Sequence, residues 1–253
     1  MNNVKYLLDF DGVICDSRPE CMVTSYNAYQ RFQNKNFQLN FSKQVVPTHF
    51  QDLFFEQRYL VRTGPEFKIL WDYLLRNYLQ DEKYYQSYNH VHNNQDSNEI
   101  VHYGKLFYDV RSIWMQKDYQ KWMTYNKLYN KIIPALKQTL NKNSLYIVSS
   151  KDKKSIELIC SYYQVKLPQS IIYSKEFGEK SDLIKKIQNI HPNFSLVFID
   201  DNISNIINVM HSGLDVKLYL ATWGYNSTEC QNEAVRNQIN LLDLDHFFDI
   251  FNV

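Results

Sequence analysis

The 253-residue sequence predicts an α/β protein, a doubly wound parallel sheet interrupted by a helical insertion. Three observations carry this. Short apolar runs separated by helical segments recur in the C-terminal half, the pattern of βαβ units with a buried parallel sheet. A similar run opens the chain and belongs with them. Between the two, from Ser17 to about Tyr125, the apolar residues recur at helical spacing and nothing looks like a parallel strand.

The first element is Val4-Lys5-Tyr6-Leu7-Leu8, an apolar strand that ends in Asp9-Phe10-Asp11-Gly12. Alternate residues of a strand point to the same side. Where the chain begins to turn at the strand's end, Asp9 and Asp11 can converge on one pocket, and Gly12 permits the sharp turn. A calcium loop would need further oxygen ligands at alternating positions. Val13, Ile14 and Cys15 follow instead, which excludes it.

In the insertion, Phe67, Leu70, Trp71, Leu74, Leu75 and Tyr78 keep the three-and-four spacing of an amphipathic helix, as do Leu106, Val110, Ile113 and Trp114. Pro65 and Glu66, just after Gly64, mark a helix start. The stretch Asn89–Asn98 is polar, has no apolar period and reads as a loop. The many aromatic residues here (the chain has 20 Tyr and 15 Phe) read as core packing. Stacking on single-stranded nucleic acid would also need a positive groove.

The remaining strands are Leu145–Val148, Ser170–Tyr173, Leu196–Ile199 and Lys217–Ala221. Ligands of such sheets bind beyond the carboxyl ends of the strands, and the chemically interesting residues fall there. Ser149 directly follows the second run, where a hydroxyl and the adjacent backbone N–H groups can meet a phosphoryl oxygen. Lys180 follows a Gly-containing loop and opens a helix with Leu183, Ile184 and Ile187. Lys175 competes with it, but the helix begins immediately after Lys180. Asp200 and Asp201 end a fully apolar strand, where two unpaired acids would be costly to bury. A divalent cation resolves that cost, and magnesium prefers such hard oxygen ligands.

Bulk properties narrow the partners. A net charge of +1 gives neither a basic stripe for nucleic acid nor an acidic tail. No signal peptide is evident and no apolar run approaches the length of about 20 residues that spans a bilayer, so the expectation is a cytoplasmic protein without membrane attachment, monomeric or homodimeric. Cys15, Cys21, Cys160 and Cys230 lack Cys-x-x-Cys spacing and are expected to be reduced, buried thiols.

Asp9-x-Asp11-Gly12 after a hydrophobic strand resembles the first motif of the haloacid dehalogenase-like hydrolase superfamily. Ile147-Val148-Ser149-Ser150-Lys151 resembles its second motif, Lys180 stands in the setting of its third, and Asp200-Asp201 with Asn205 resembles its fourth. Ser181 departs from the proline that usually follows the lysine, and Asp200-Asp201 departs from the commoner Gly-Asp. Trp223-Gly224-Tyr225 looks like the ending of phosphoglycolate phosphatase-like members. The resemblance implies a Rossmann-like catalytic core from residues 1–16 and 127–253, with a helical cap domain at 17–126.

It further implies a Mg2+-dependent phosphatase acting on a small phosphorylated metabolite. Asp9 would be the nucleophile, Asp11 the general acid–base, and Ser149 and Lys180 would complete the catalytic set. The metal ligands would come from Asp9, Asp11, Asp201 and Asp200, with Asp201 direct and Asp200 water-mediated or orienting. Ser150 and the insertion arginines Arg58, Arg62 and Arg111 are the expected substrate contacts, salt bridges being the arginines' other use. Alternatives are a sugar-phosphate phosphomutase, a phosphonate hydrolase using Lys68 or Lys83 as Schiff base, and a non-catalytic binding module.

Overall fold

The computed structural model describes residues 4–78 and 86–252. The chain divides into two compact units, residues 1–16 with 127–253 and residues 17–126. Lys83 lies outside the described residues.

The first unit is the α/β core that the apolar runs predict. Its sheet strands are β1 (Val4–Leu8), β4 (Leu145–Ser149), β5 (Ile172–Ser174), β6 (Ser195–Asp200), β7 (Val216–Ala221) and β8 (Asn240–Leu242). They lie in the order β5-β4-β1-β6-β7-β8 and every pairing is parallel. In register, Tyr6 of β1 faces Leu145 on one side and Val197 on the other. The chain runs outward from β1 through β4 to β5, then returns to the other side of β1 and continues through β6 and β7 to β8. The order reverses beside β1, and ligands of such sheets usually bind outside the carboxyl ends of the strands at that point.

Leu7, Leu8, Ile147, Val148, Phe198 and Ile199 are fully buried, as an apolar strand covered on both faces requires. Helices α7 (Ile132–Asn141) and α9 (Lys180–Ile190) pack near β4, and α8 (Lys153–Tyr162) near β5. Helix α10 (Ile203–His211) packs against β6, β7 and α9, and α11 (Thr228–Arg236) against β8. A short antiparallel pair, β2 (Cys15–Asp16) with β3 (Lys127–Leu128), completes the unit.

Two details differ from the sequence expectation. The run Ser170–Tyr173 begins as a 3-10 turn at Gln169–Ile171, so its strand starts two residues later. Strand β8 was not expected, because three residues with a single buried side chain carry no periodic signal.

Among the described residues of the second unit the longer regular elements are helices: α1 (Arg18–Gln33), α2 (Thr48–Gln57), α3 (Phe67–Tyr78), α4 (Tyr88–Asn93), α5 (Ser97–Lys117) and α6 (Tyr119–Thr124). Its aromatic residues form the core. Phe54 stacks on Phe67 with ring centroids 5.7 Å apart, and Phe67 on Phe107 at 5.3 Å. The indole N–H of Trp71 donates to Ser25 Oγ at 2.9 Å, which satisfies a buried donor. Helix α4 occupies part of the expected loop at Asn89–Asn98. Ser87 caps it by accepting from His90 N, and Val91 alone is buried, so a cap and one apolar residue replace the missing period.

All four cysteines are buried. Among the described residues no helix is long and apolar enough to cross a membrane.

Candidate active site

β1, β4 and β6 each deliver their last residue or the one after it to the same sheet edge. Asp9 follows β1, Ser149 ends β4 and Asp200 ends β6. Each of Asp9, Asp200 and Asp201 offers one carboxylate oxygen, and these atoms lie within 4.8 Å of one another. All three residues are buried, Asp200 completely.

Lys180, the first residue of α9, bridges two of them. Its Nζ is 2.9 Å from Asp9 Oδ2 and 2.6 Å from Asp200 Oδ2. Burial pulls this ammonium down, yet Asp200 and Asp9 together outweigh it and hold the group above its ordinary value. For Asp9 burial pushes the carboxyl up; Lys180 opposes the rise, Asp200 adds to it, and the hydrogen bond from Ser149 opposes it again, leaving Asp9 at about 6. The backbone N–H of Phe10 also donates to Asp9 Oδ1 at 2.7 Å. Lys175, the competing lysine, sits in a 3-10 turn at Lys175–Phe177.

The two acids of β6 are held differently. Asp200 accepts from Lys180, from Asn202 N at 2.9 Å and from Asn205 Nδ2 at 3.2 Å. Asp201 accepts from the backbone N–H of Tyr225 at 2.6 Å. Two glycines make room for it. Gly12 has φ +85°, and a Cβ there would fall 2.0 Å from Asp201 Oδ2; a Cβ on Gly224 would fall 2.3 Å from Asp201 Cβ. Trp223 Nε1 donates to Val13 O at 3.1 Å and the Tyr225 hydroxyl to Cys15 O at 3.1 Å, so the Trp223-Gly224-Tyr225 segment is tied to the turn after β1.

A divalent cation fits this donor set. Three buried carboxylates face one ammonium, a surplus of negative charge that hard-oxygen coordination would neutralise. Asp11 is the exception among the expected ligands. Its carboxylate is not in the cluster but lies against Lys151, whose Nζ is 3.1 Å from Oδ1 and 3.3 Å from Oδ2. The Lys151 side chain is 1% exposed. Sequence reasoning did not single out this lysine; the available signal was its position two residues beyond Ser149, in the turn at the end of β4. Its backbone N–H donates to Ser149 Oγ at 3.2 Å, while Ser150 between them is half-buried.

Other expected contacts are engaged within the second unit. Arg111 is buried, with its Nε 2.9 Å and its Nη2 2.8 Å from the two carboxylate oxygens of the fully buried Glu20. This is the salt-bridge use of Arg111, with Nε and Nη2 both committed to Glu20. Arg58 is buried and donates to Val61 O at 2.6 Å, its guanidinium 5.0 Å from the Phe67 ring centroid. Arg62 pairs with Glu66 at 3.0 Å and stays exposed. Lys68, considered as a Schiff-base lysine, is buried against Asp72 at 2.9 Å, Gln95 at 2.8 Å and Glu99 at 3.0 Å.

No protein-family model matches the sequence, and no curated protein matches it. Solved structures do. A protein assigned as a phosphoglycolate phosphatase from Lactobacillus delbrueckii subsp. bulgaricus superposes with a TM-score of 0.63 over 99% of both chains, at 13% identity. A predicted phosphoglycolate phosphatase from Haemophilus somnus gives 0.60 over 97% of this chain and 96% of its own, at 11% identity. A predicted phosphatase from Clostridium acetobutylicum gives 0.57 over 100% of both, at 16% identity. A haloacid dehalogenase-like hydrolase from Bacteroides fragilis gives 0.57 over 96% of both chains, at 13% identity, and the chain shares the fold of these structures.

Proposed function

We propose that the protein is a Mg2+-dependent phosphatase that hydrolyses a small phosphorylated metabolite through an aspartyl-phosphate on Asp9. The observation that carries this reading is the convergence of Asp9, Lys180, Asp200 and Asp201 at the carboxyl edge of a parallel sheet, with Ser149 bonded to the same Asp9 carboxylate. Phosphoryl transfer needs little covalent help from a protein beyond positioning and charge stabilisation. This cluster supplies both, together with a carboxylate nucleophile.

In the first half of the reaction an Asp9 oxygen attacks phosphorus and the bond to the leaving oxygen breaks. Asp11 gives that oxygen its proton, so an alcohol departs and Asp11 is left ionised. In the second half water attacks the phosphoryl group, Asp11 takes a proton from the water, and the bond to Asp9 breaks to release inorganic phosphate. Lys180 and Ser149 meet the negative charge on the phosphoryl oxygens. Lys180 does so as a compact point charge. Magnesium, held by Asp9 and Asp201 with Asp200 in support, would add charge neutralisation when bound. The hydrogen bonds that Asp200 already accepts favour an orienting role for it.

Residues 17–126 would act as the cap domain that selects the substrate, as closing segments do in other enzymes. The test is a screen of phosphorylated metabolites for phosphate release with and without magnesium. Release that requires magnesium supports the reading; no release from any phosphomonoester, with the protein folded and magnesium present, would count against it.

A further inference from the structure

We propose that Lys151 is a positioning residue that fixes the carboxylate of Asp11 apart from the Asp9, Asp200 and Asp201 cluster. The proposal rests on the reading of Asp11 as the general acid–base. Asp9 and Asp11 leave the same strand two residues apart, and nothing in their spacing decides whether the second carboxylate joins the first. In the structure it does not. Asp11 turns to Lys151, which approaches both of its oxygens at 3.1 and 3.3 Å.

The lysine is itself held in place. Its backbone is bonded to Ser149 Oγ at the end of β4, its ammonium is 6.0 Å from the Phe10 ring centroid, and its side chain is almost wholly buried. A buried ammonium costs several kcal/mol unless it is paired with good geometry, so the carboxylate beside it is pinned as firmly as the lysine. The site thus contains two lysine–carboxylate groups with separate duties. Lys180 neutralises the nucleophile and Asp200, whereas Lys151 sits on the acid–base. A fourth carboxylate inside the cluster would add like charge at close range. A misplacement on the order of 1 Å is enough to disable a catalytic group.

A double-mutant cycle with a structural readout tests this. Lys151→Met, Asp11→Asn and the double variant are assayed on p-nitrophenyl phosphate and on an alkyl phosphate, and Lys151→Met is crystallised. Acting through Asp11, Lys151→Met should lower kcat on the order of tenfold or more while leaving KM nearly unchanged. It should cost nothing further in the Asp11→Asn background, and its crystal structure should show the Asp11 carboxylate displaced on the order of 1 Å or more. If the methionine variant does not fold, Lys151→Gln serves the same comparison. A full loss that persists without Asp11 would show that Lys151 touches the phosphoryl group itself and overturn the proposal. So would an Asp11 carboxylate that stays in place without the lysine. Wild-type protein inactive on both substrates would sink the phosphatase reading alone, and the crystal structure would still decide the role of Lys151.

Discussion

Lys180 Nζ lies 2.6 Å from Asp200 Oδ2, a contact between the first residue of α9 and the last residue of β6. Because the same ammonium is 2.9 Å from Asp9, one lysine pairs with two acids contributed by different strands. Lys180→Met should therefore leave an uncompensated cluster. Without the point charge that meets the phosphoryl oxygens, kcat should fall on the order of 10²–10³. Steady-state rates at saturating magnesium check this, and a rate within twofold of wild type would remove Lys180 from the catalytic set.

Metal binding should depend on pH through Asp9. Burial raises its carboxyl to about 6 in the metal-free site, so below that pH a cation must displace a proton before it can bind. Magnesium affinity should be flat well above pH 6 and fall by about tenfold per unit below it. Calorimetric titrations across this range read the effect. Affinity that stays constant from pH 7 to pH 5 would detach Asp9 from the metal.

Gly224 faces Asp201 so closely that a Cβ would lie 2.3 Å from the aspartate Cβ and 2.7 Å from Gly12 O. Gly224→Ala must therefore move Asp201 or the turn after β1. The expected result is magnesium affinity weakened by about 10–100-fold, the usual cost of disturbing the surroundings of a metal ligand. Unchanged affinity with retained folding would show that Asp201 is not a ligand.

Arg111 and Arg62 should behave differently. Arg111 forms a buried bidentate pair with Glu20, and breaking such a pair leaves a buried charge. Arg111→Met should lower stability by about 3–5 kcal/mol and depress activity on all substrates alike. Arg62 is paired with Glu66 on the surface, so Arg62→Ala should hardly change stability. If it anchors the substrate's remote end, the loss should be confined to substrates that carry that end. Melting curves beside rates on p-nitrophenyl phosphate and on the best metabolite separate the two.

The long apolar strands were legible because covering both faces leaves an uninterrupted apolar run, as in Leu145–Val148 and Leu196–Ile199. The pair β2–β3 and strand β8 were not, since two or three residues carry no period. The acids were legible because charge at the end of such a run has no other ready explanation. Lys151 escaped notice because a lysine in a polar turn reads as solvated, and only the neighbouring carboxylate shows that it is buried. Arg111 carried a signal that went unused. It shares a stripe with Tyr103, Phe107, Val110 and Trp114, the buried face of α5, which marks it as internal to the second unit.

The central claim is that Asp9 is the nucleophile, and Asp9→Asn tests it most directly because it removes the attacking oxygen's charge with almost no change in volume. Phosphate release with magnesium should be abolished in this variant while its melting curve shows a folded protein. Quenched wild-type enzyme should carry a phosphoryl group on the peptide containing Asp9. An Asp9→Asn protein that turns over phosphomonoesters at the wild-type rate would contradict the account.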